Sequence, residues 1–251
     1  MLQFDRSEFR YSPYPLAVIQ PALETSFYDE LVRSFPSEEL FGKLPKYDYK
    51  LSLSEKTNRS TYLKFIETTP AWRRLYGWVK SEAFIRQVVA FLVSRDVDLD
   101  LDEYFTPSGE RLKIALGKIM RGQIPSGPGR LRTRFEFSVL RADGGEVAPH
   151  TDTPRKIITL VMSMITADEW PLEFGGGLEI DRATDPSYAF NWNNRIVPWD
   201  KMEAVETIPF RPNQCMIFVK TFNSLHSVRP MTQRGSTALR KTITIVIEKD
   251  D

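Results

Sequence analysis

One short run sets the chemistry to be considered. In Glu146-Val147-Ala148-Pro149-His150-Thr151-Asp152-Thr153-Pro154 a single residue separates an imidazole from a carboxylate. Side chains alternate along an extended segment, so positions two apart share a face and both groups can reach one point. A metal site built on them needs a third ligand. The chain has only two histidines, and the other is His226. His150, Asp152 and His226 together make a two-histidine, one-carboxylate set, the facial triad that leaves open positions on a non-haem Fe(II). The same donors suit a catalytic Zn²⁺, the main metal competitor. The bland alternative is two histidines that have nothing to do with each other.

A second pair lies further on. Arg240 and Thr242 are two apart at the opening of an apolar, β-branched run and can point the same way. A guanidinium fork beside a hydroxyl is suited to a carboxylate. The competing reading is an ordinary surface arginine at a strand start.

These groups must be carried by a fold of adequate size. The chain has 251 residues, enough for one large β domain. With 41% hydrophobic and 27% charged residues it has the composition of a globular protein. Its net charge of +1 argues against a strongly basic nucleic-acid binder or a polybasic membrane protein. No apolar run approaches a membrane span, and the first residues do not read as a signal peptide, so the cytoplasm is the default expectation. The single cysteine, Cys215, sits in an apolar run and is expected to be a buried structural thiol.

Residues 1–20 read as extended, with Ala17-Val18-Ile19 the best β-run. Thr25 is placed as the cap of a helix reaching about Phe35, and residues 38–60 are read as loop with short helical pieces. Helical spacing resumes from Pro70, through Ala71, Leu75, Trp78 and Val79, and again over 82–95, through Phe84, Ile85, Val88, Val89 and Leu92. The acidic run 96–103 lacks the glycine and glutamate of a calcium loop and reads as a solvated loop. A glycine- and proline-rich break at 121–130 divides a mostly helical support region, 1–130, from a β-rich part, 131–251, within one domain.

Beyond the break the period changes to two. Arg132, Arg134, Glu136 and Ser138 alternate with Thr133, Phe135, Phe137 and Val139 on a two-faced strand. Further strands are expected over the His150–Asp152 segment, 157–165, 178–180, 205–210, 215–220, 225–229 and 241–248. About eight short strands suggest a barrel or sandwich. The stretch 181–204 breaks the rhythm with Tyr188, Phe190, Trp192, Trp199 and three asparagines, and is read as a lid or substrate loop.

This half resembles the Fe(II)/2-oxoglutarate-dependent oxygenases, in particular the prolyl-4-hydroxylase-like branch. The resemblance covers about 131–249. Its carriers are Gly144-Gly145 before Pro149-His150-Thr151-Asp152, then Gly176-Gly177-Leu178-Glu179, Phe222-Asn223-Ser224-Leu225-His226-Ser227-Val228, and Arg240-Lys241-Thr242. It implies a mainly β fold with N-terminal α-helices, a double-stranded β-helix of the jelly-roll, cupin-like kind. It also implies that His150, Asp152 and His226 ligate Fe(II). Arg240, with Thr242 beside it, would bind the distal carboxylate of 2-oxoglutarate, with Arg234 and Lys241 as alternative anchors. Leu140 stands where relatives often carry a tyrosine. The implied reaction is hydroxylation of an unactivated C–H bond, with O₂ as oxidant and ascorbate as a candidate reductant. Candidates for holding the substrate, a small molecule or an amino-acid side chain, are Arg132, Arg134, Arg155, Trp192 and Asn194. The alternatives are a cupin-like metal protein of other chemistry, such as a Zn²⁺ or Mn²⁺ isomerase, or a non-catalytic binding module. Neither a nucleic-acid nor a membrane partner is expected.

Overall fold

The structure, a computed structural model, describes residues 1–44, 47–101 and 130–250, with 104, 110, 113, 116, 117 and 120 between them. Most of the glycine-rich break at 121–130 and the end of the acidic run lie outside the described residues. The N-terminal part forms β1 (Ser7–Arg10), β2 (Leu16–Ile19), α1 (Thr25–Arg33), β3 (Gly42–Leu44), β4 (Tyr47–Ser54), α2 (Arg59–Thr68), α3 (Pro70–Val79) and α4 (Glu82–Val93). Eight strands follow: β5 (Arg130–Arg141), β6 (Val147–His150), β7 (Lys156–Ser163), β8 (Leu178–Ala183), β9 (Met202–Ile208), β10 (Cys215–Val219), β11 (His226–Val228) and β12 (Leu239–Asp250).

These eight strands pair in nested fashion: β5 with β12, β6 with β11, β7 with β10, β8 with β9, all antiparallel. They behave as one long hairpin wound on itself, successive pairs falling alternately in two sheets. The large sheet has the order β1-β2-β10-β7-β12-β5-β4-β3 and the small one β6-β11-β8-β9. This is the double-stranded β-helix, a two-sheet jelly roll. The expectation of a mainly β fold with N-terminal helices is met.

The large sheet's two faces differ in kind. Phe135, Phe137, Leu160, Ile243 and Ile245 point outward into the main core, where they meet Trp72 and Leu75 of α3 and Phe84 and Val88 of α4. Phe137 is the hub. Its ring centroid lies 4.6 Å from that of Trp72 and 5.1 Å from that of Phe135, both edge-on. The alternate residues, Glu136, Ser138, Thr242 and Thr244, face inward and line a cavity between the sheets.

The helices form where local chemistry supports them. Ser81 caps α4 by accepting from the Phe84 N–H at 3.2 Å, and Pro70 opens α3, where its missing N–H costs nothing. In α1 the cap is Glu24 and not Thr25: the Glu24 carboxylate accepts from the N–H groups of Ser26 and Phe27. A larger correction concerns 38–60. Instead of loop, this segment supplies β3 and β4, and β4 pairs with β5 so that Lys50 lies opposite Leu140 and Ser54 opposite Glu136. The run Tyr47-Asp48-Tyr49-Lys50-Leu51-Ser52-Leu53-Ser54 does alternate with period two, but it is short and flanked on both sides by polar and turn-forming residues, and Lys50 faces the cavity.

Candidate metal centre and its cavity

His150 ends β6 and His226 begins β11, and the antiparallel register sets them directly opposite each other. Their ring centroids are 4.5 Å apart. Asp152 lies two residues past the end of β6, so the strand is shorter than the spacing suggests, yet the side chains still converge. One potential ligand atom from each of His150, Asp152 and His226 lies within 4.8 Å of the others.

The hydrogen bonds leave the right atoms free. Nδ1 of His150 is 2.8 Å from the Ala148 carbonyl oxygen, and Nδ1 of His226 is 3.0 Å from that of Ser224. A carbonyl only accepts, so each Nδ1 carries the proton and each Nε2 keeps its lone pair for a metal. Burial, and then the facing His226, push the His150 pKa down to about 3. Burial lowers that of His226 as well. Both rings are therefore neutral at neutral pH, as ligation requires. Burial works against ionisation of Asp152, but the Lys156 ammonium and the two imidazoles overcome it and hold the carboxyl below its ordinary range. Lys156 donates to Oδ1, and the Thr159 hydroxyl donates to Oδ2 at 2.5 Å. Sequence reading missed both partners, whose only signal was their place just past the ligand segment on β7.

Arg240 is buried on the inner face of β12. Its Nε donates to the Gly176 carbonyl at 2.6 Å, and its guanidinium carbon lies 4.2 Å from the centre of the Phe210 ring. No ion pair among the described residues includes it, and burial lowers its pKa. It is a desolvated cation in want of a counter-charge. Gly176 makes room for it: its φ is +72°, and a Cβ there would sit 3.0 Å from Arg240 Cδ. Thr242, the next inward residue, shares a 2.9 Å hydrogen bond with the Ser138 hydroxyl. Leu140 lines the cavity beside them. Of the alternative anchors, Lys241 points outward and pairs with Glu169 at 2.7 Å, and Arg234 is exposed.

His150, Asp152, His226, Arg240 and Thr242 all line one cavity of about 240 Å³. Of the substrate candidates, only Asn194 joins them. The loop that carries it runs from the end of β8 to the start of β9, narrower than the expected 181–204. It is laced onto the metal-side strand: the Thr151 hydroxyl donates to the Asn191 carbonyl at 2.5 Å, and the Val197 N–H to the Pro149 carbonyl at 2.9 Å. Asn194 takes φ +57°, and its side-chain oxygen is buried without a hydrogen-bond partner. Arg132 and Arg134 instead pair with Glu248 at 3.0 and 2.9 Å. Arg155 is exposed and donates to the Lys249 carbonyl at 3.4 Å. Trp192 is 43% exposed, with the Lys220 ammonium 5.0 Å from its ring centre. The cavity also holds Lys50 and Glu136, an ion pair at 3.3 Å that sequence reading did not anticipate.

Fold and site thus define a double-stranded β-helix protein with a buried two-histidine, one-carboxylate cluster and an unpaired arginine in one cavity. No protein-family model matches the sequence, and no curated protein matches it. Solved structures do. A prolyl hydroxylase from Trichoplax adhaerens, in complex with a hypoxia inducible factor peptide fragment, is 11% identical with a TM-score of 0.47, covering 93% of this chain and 83% of that one. The non-haem alpha-ketoglutarate-dependent epimerase SnoN of nogalamycin biosynthesis is 13% identical with a TM-score of 0.47, covering 98% and 78%. A Pseudomonas putida prolyl-4-hydroxylase is 11% identical with a TM-score of 0.45, covering 93% and 91%. Among the described residues, no helix is long and apolar enough to cross a membrane.

Proposed function

We propose that the chain is an Fe(II)- and 2-oxoglutarate-dependent oxygenase that hydroxylates an unactivated C–H bond. The observation that carries this reading is the sharing of one cavity by the His150–Asp152–His226 cluster and the unpaired Arg240. The two Nε2 atoms and the Asp152 carboxylate fit Fe(II) and leave it open positions. Arg240, with Thr242 beside it, fits the distal carboxylate of a dicarboxylic cosubstrate. When bound, iron supplies the oxidation, in which O₂ and 2-oxoglutarate turn substrate C–H into C–OH with release of succinate and CO₂.

The chain's own residues bind and orient. The Ala148 and Ser224 carbonyls fix the tautomers of the ligand imidazoles. Lys156 and Thr159 keep Asp152 ionised and in place. The 184–201 loop, laced onto Thr151 and Pro149, carries Asn194 to the cavity that the cluster lines. A Zn²⁺ or Mn²⁺ isomerase on the same fold could use the three ligands but would have no use for a desolvated arginine in the same cavity.

Anaerobic addition of Fe(II) and 2-oxoglutarate is expected to give a weak visible charge-transfer band that is absent in His150→Ala. If no band forms and titration detects no 2-oxoglutarate binding, the oxygenase reading is wrong.

A further inference from the structure

The Lys50–Glu136 pair is unexplained by metal or cosubstrate. It sits in the cavity between the sheets, at 3.3 Å, with each side chain about three-quarters shielded from solvent. As a stabilising device it is poor, because desolvating two charges roughly cancels their attraction. The remainder of the large sheet shows what stability favours, since its outer face is filled with aromatic and aliphatic side chains. The pair has a further property. It is a fixed dipole facing the space left for substrate.

Charge balance narrows what can enter. The cavity is lined by three cations, Lys50, Lys156 and Arg240, and three anions, Glu136, Glu146 and Asp152. A divalent metal and a dianionic cosubstrate offset each other. A substrate bringing net charge would leave an uncompensated charge in a shielded site, where desolvation is not offset by a partner. A net-neutral molecule escapes that cost. If it is also dipolar, it can lie head to tail on Lys50 and Glu136. The unpartnered oxygen of Asn194 adds an acceptor in want of a donor. The cavity, about 240 Å³ against the usual 300–1,000 Å³ or so of ligand pockets, also houses the metal ligands and Arg240, so the room left beside a cosubstrate admits only a small guest.

Building on the oxygenase reading, we propose that the substrate is a free amino acid or similarly small zwitterion. Its ammonium group is taken by Glu136, with Asn194 as a second acceptor, and its carboxylate by Lys50.

The test is calorimetric titration of the full chain loaded anaerobically with Mn(II) and 2-oxoglutarate, which reports binding without turnover. The titrants are free α-, β- and γ-amino acids, their N-acetyl forms and the corresponding decarboxylated amines. At least one free amino acid is expected to bind, and its blocked forms to bind roughly 10- to 100-fold more weakly, as loss of a charge-assisted hydrogen bond implies. Glu136→Gln and Lys50→Met should each weaken that amino acid by a similar factor while leaving 2-oxoglutarate affinity unchanged. Glu136→Gln preserves shape, and a circular dichroism melt checks that each variant is folded. If blocked and free forms bind alike, or if 2-oxoglutarate binds and no free amino acid does, the zwitterion proposal is overturned and the oxygenase reading stands. If neither Mn(II) nor 2-oxoglutarate binds, both fall.

Discussion

The two faces of β5 and β12 are built from the same strands and serve opposite ends. Outward, Phe135, Phe137, Ile243, Ile245 and Ile247 bury apolar surface against the helices. Inward, Glu136, Ser138, Arg240, Thr242 and Thr244 line the cavity. One face holds the sheet in shape, and the other spends stability on desolvated charge. The division is possible because side chains alternate along a strand, so one residue's shift in register would exchange the two sets. The cavity-lining residues of these strands are thus backed directly by a packed core.

Substitutions on the two faces should therefore separate function from stability. The largest effect is expected on the cavity side. Asp152→Ala removes a ligand and leaves Lys156 beside two imidazoles, so iron measured by elemental analysis should fall from one per chain to background, and succinate release with it. A variant that retains iron and turnover would break the division. Next comes the outer face. Phe137→Ala empties the hub of the aromatic cluster and should cost about 3–5 kcal/mol in denaturant unfolding. Iron content of the protein that remains folded should be unchanged. Smaller again is Arg240→Met, which keeps much of the buried bulk and removes the charge. It should weaken 2-oxoglutarate binding roughly 10- to 100-fold with metal content intact. Unchanged affinity would rule out Arg240 as the anchor.

The smallest effect concerns a buried carboxyl outside the cavity lining. Asp181 on β8 has one side-chain oxygen with no hydrogen-bond partner. Burial, with Glu179 adding to it against a hydrogen bond from Ser227, raises its pKa from 3.8 to about 6. The folded protein thus holds this proton more tightly than the unfolded chain. The stability it confers is complete below pH 3.8 and is lost as pH rises through about 6. Asp181→Asn should accordingly stabilise the protein by about 1–2 kcal/mol at pH 8 and very little at pH 4, measured by thermal melts. The contrast with Asp152 sharpens the comparison. Both carboxyls are buried, but Asp152 has Lys156, Thr159 and two imidazoles around it and stays ionised.

Much of the site could be read from residue order because its parts are close in sequence or scarce. His150 and Asp152 announce themselves by spacing, and His226 by being the one remaining histidine. The glycine run at 175–177 showed as a motif, although only the fold reveals that Gly176 clears space for Arg240. Telling that Arg240 lines the cavity while Lys241 pairs with Glu169 outside it needed the face of β12, which adjacent residues do not share. Lys156 and Thr159 carried no recognisable pattern. Lys50 is the instructive failure. β4 alternates as β5 does, with Tyr47, Tyr49, Leu51 and Leu53 between Asp48, Lys50, Ser52 and Ser54, but the run is short and lies between polar stretches, so it is lost in what reads as loop.

By itself, the order of residues determined the elements with a clear period: α3, α4, the two-faced β5 and the buried β7 and β12. It also determined the donor types available to a metal. These are properties of near neighbours, set by backbone geometry and side-chain chemistry. Tertiary structure alone decided the nested pairing that places His226 opposite His150 and sets Glu136 within reach of Lys50. Those contacts join residues 76 and 86 positions apart, and their register follows from burying the outer face of the large sheet on the helices.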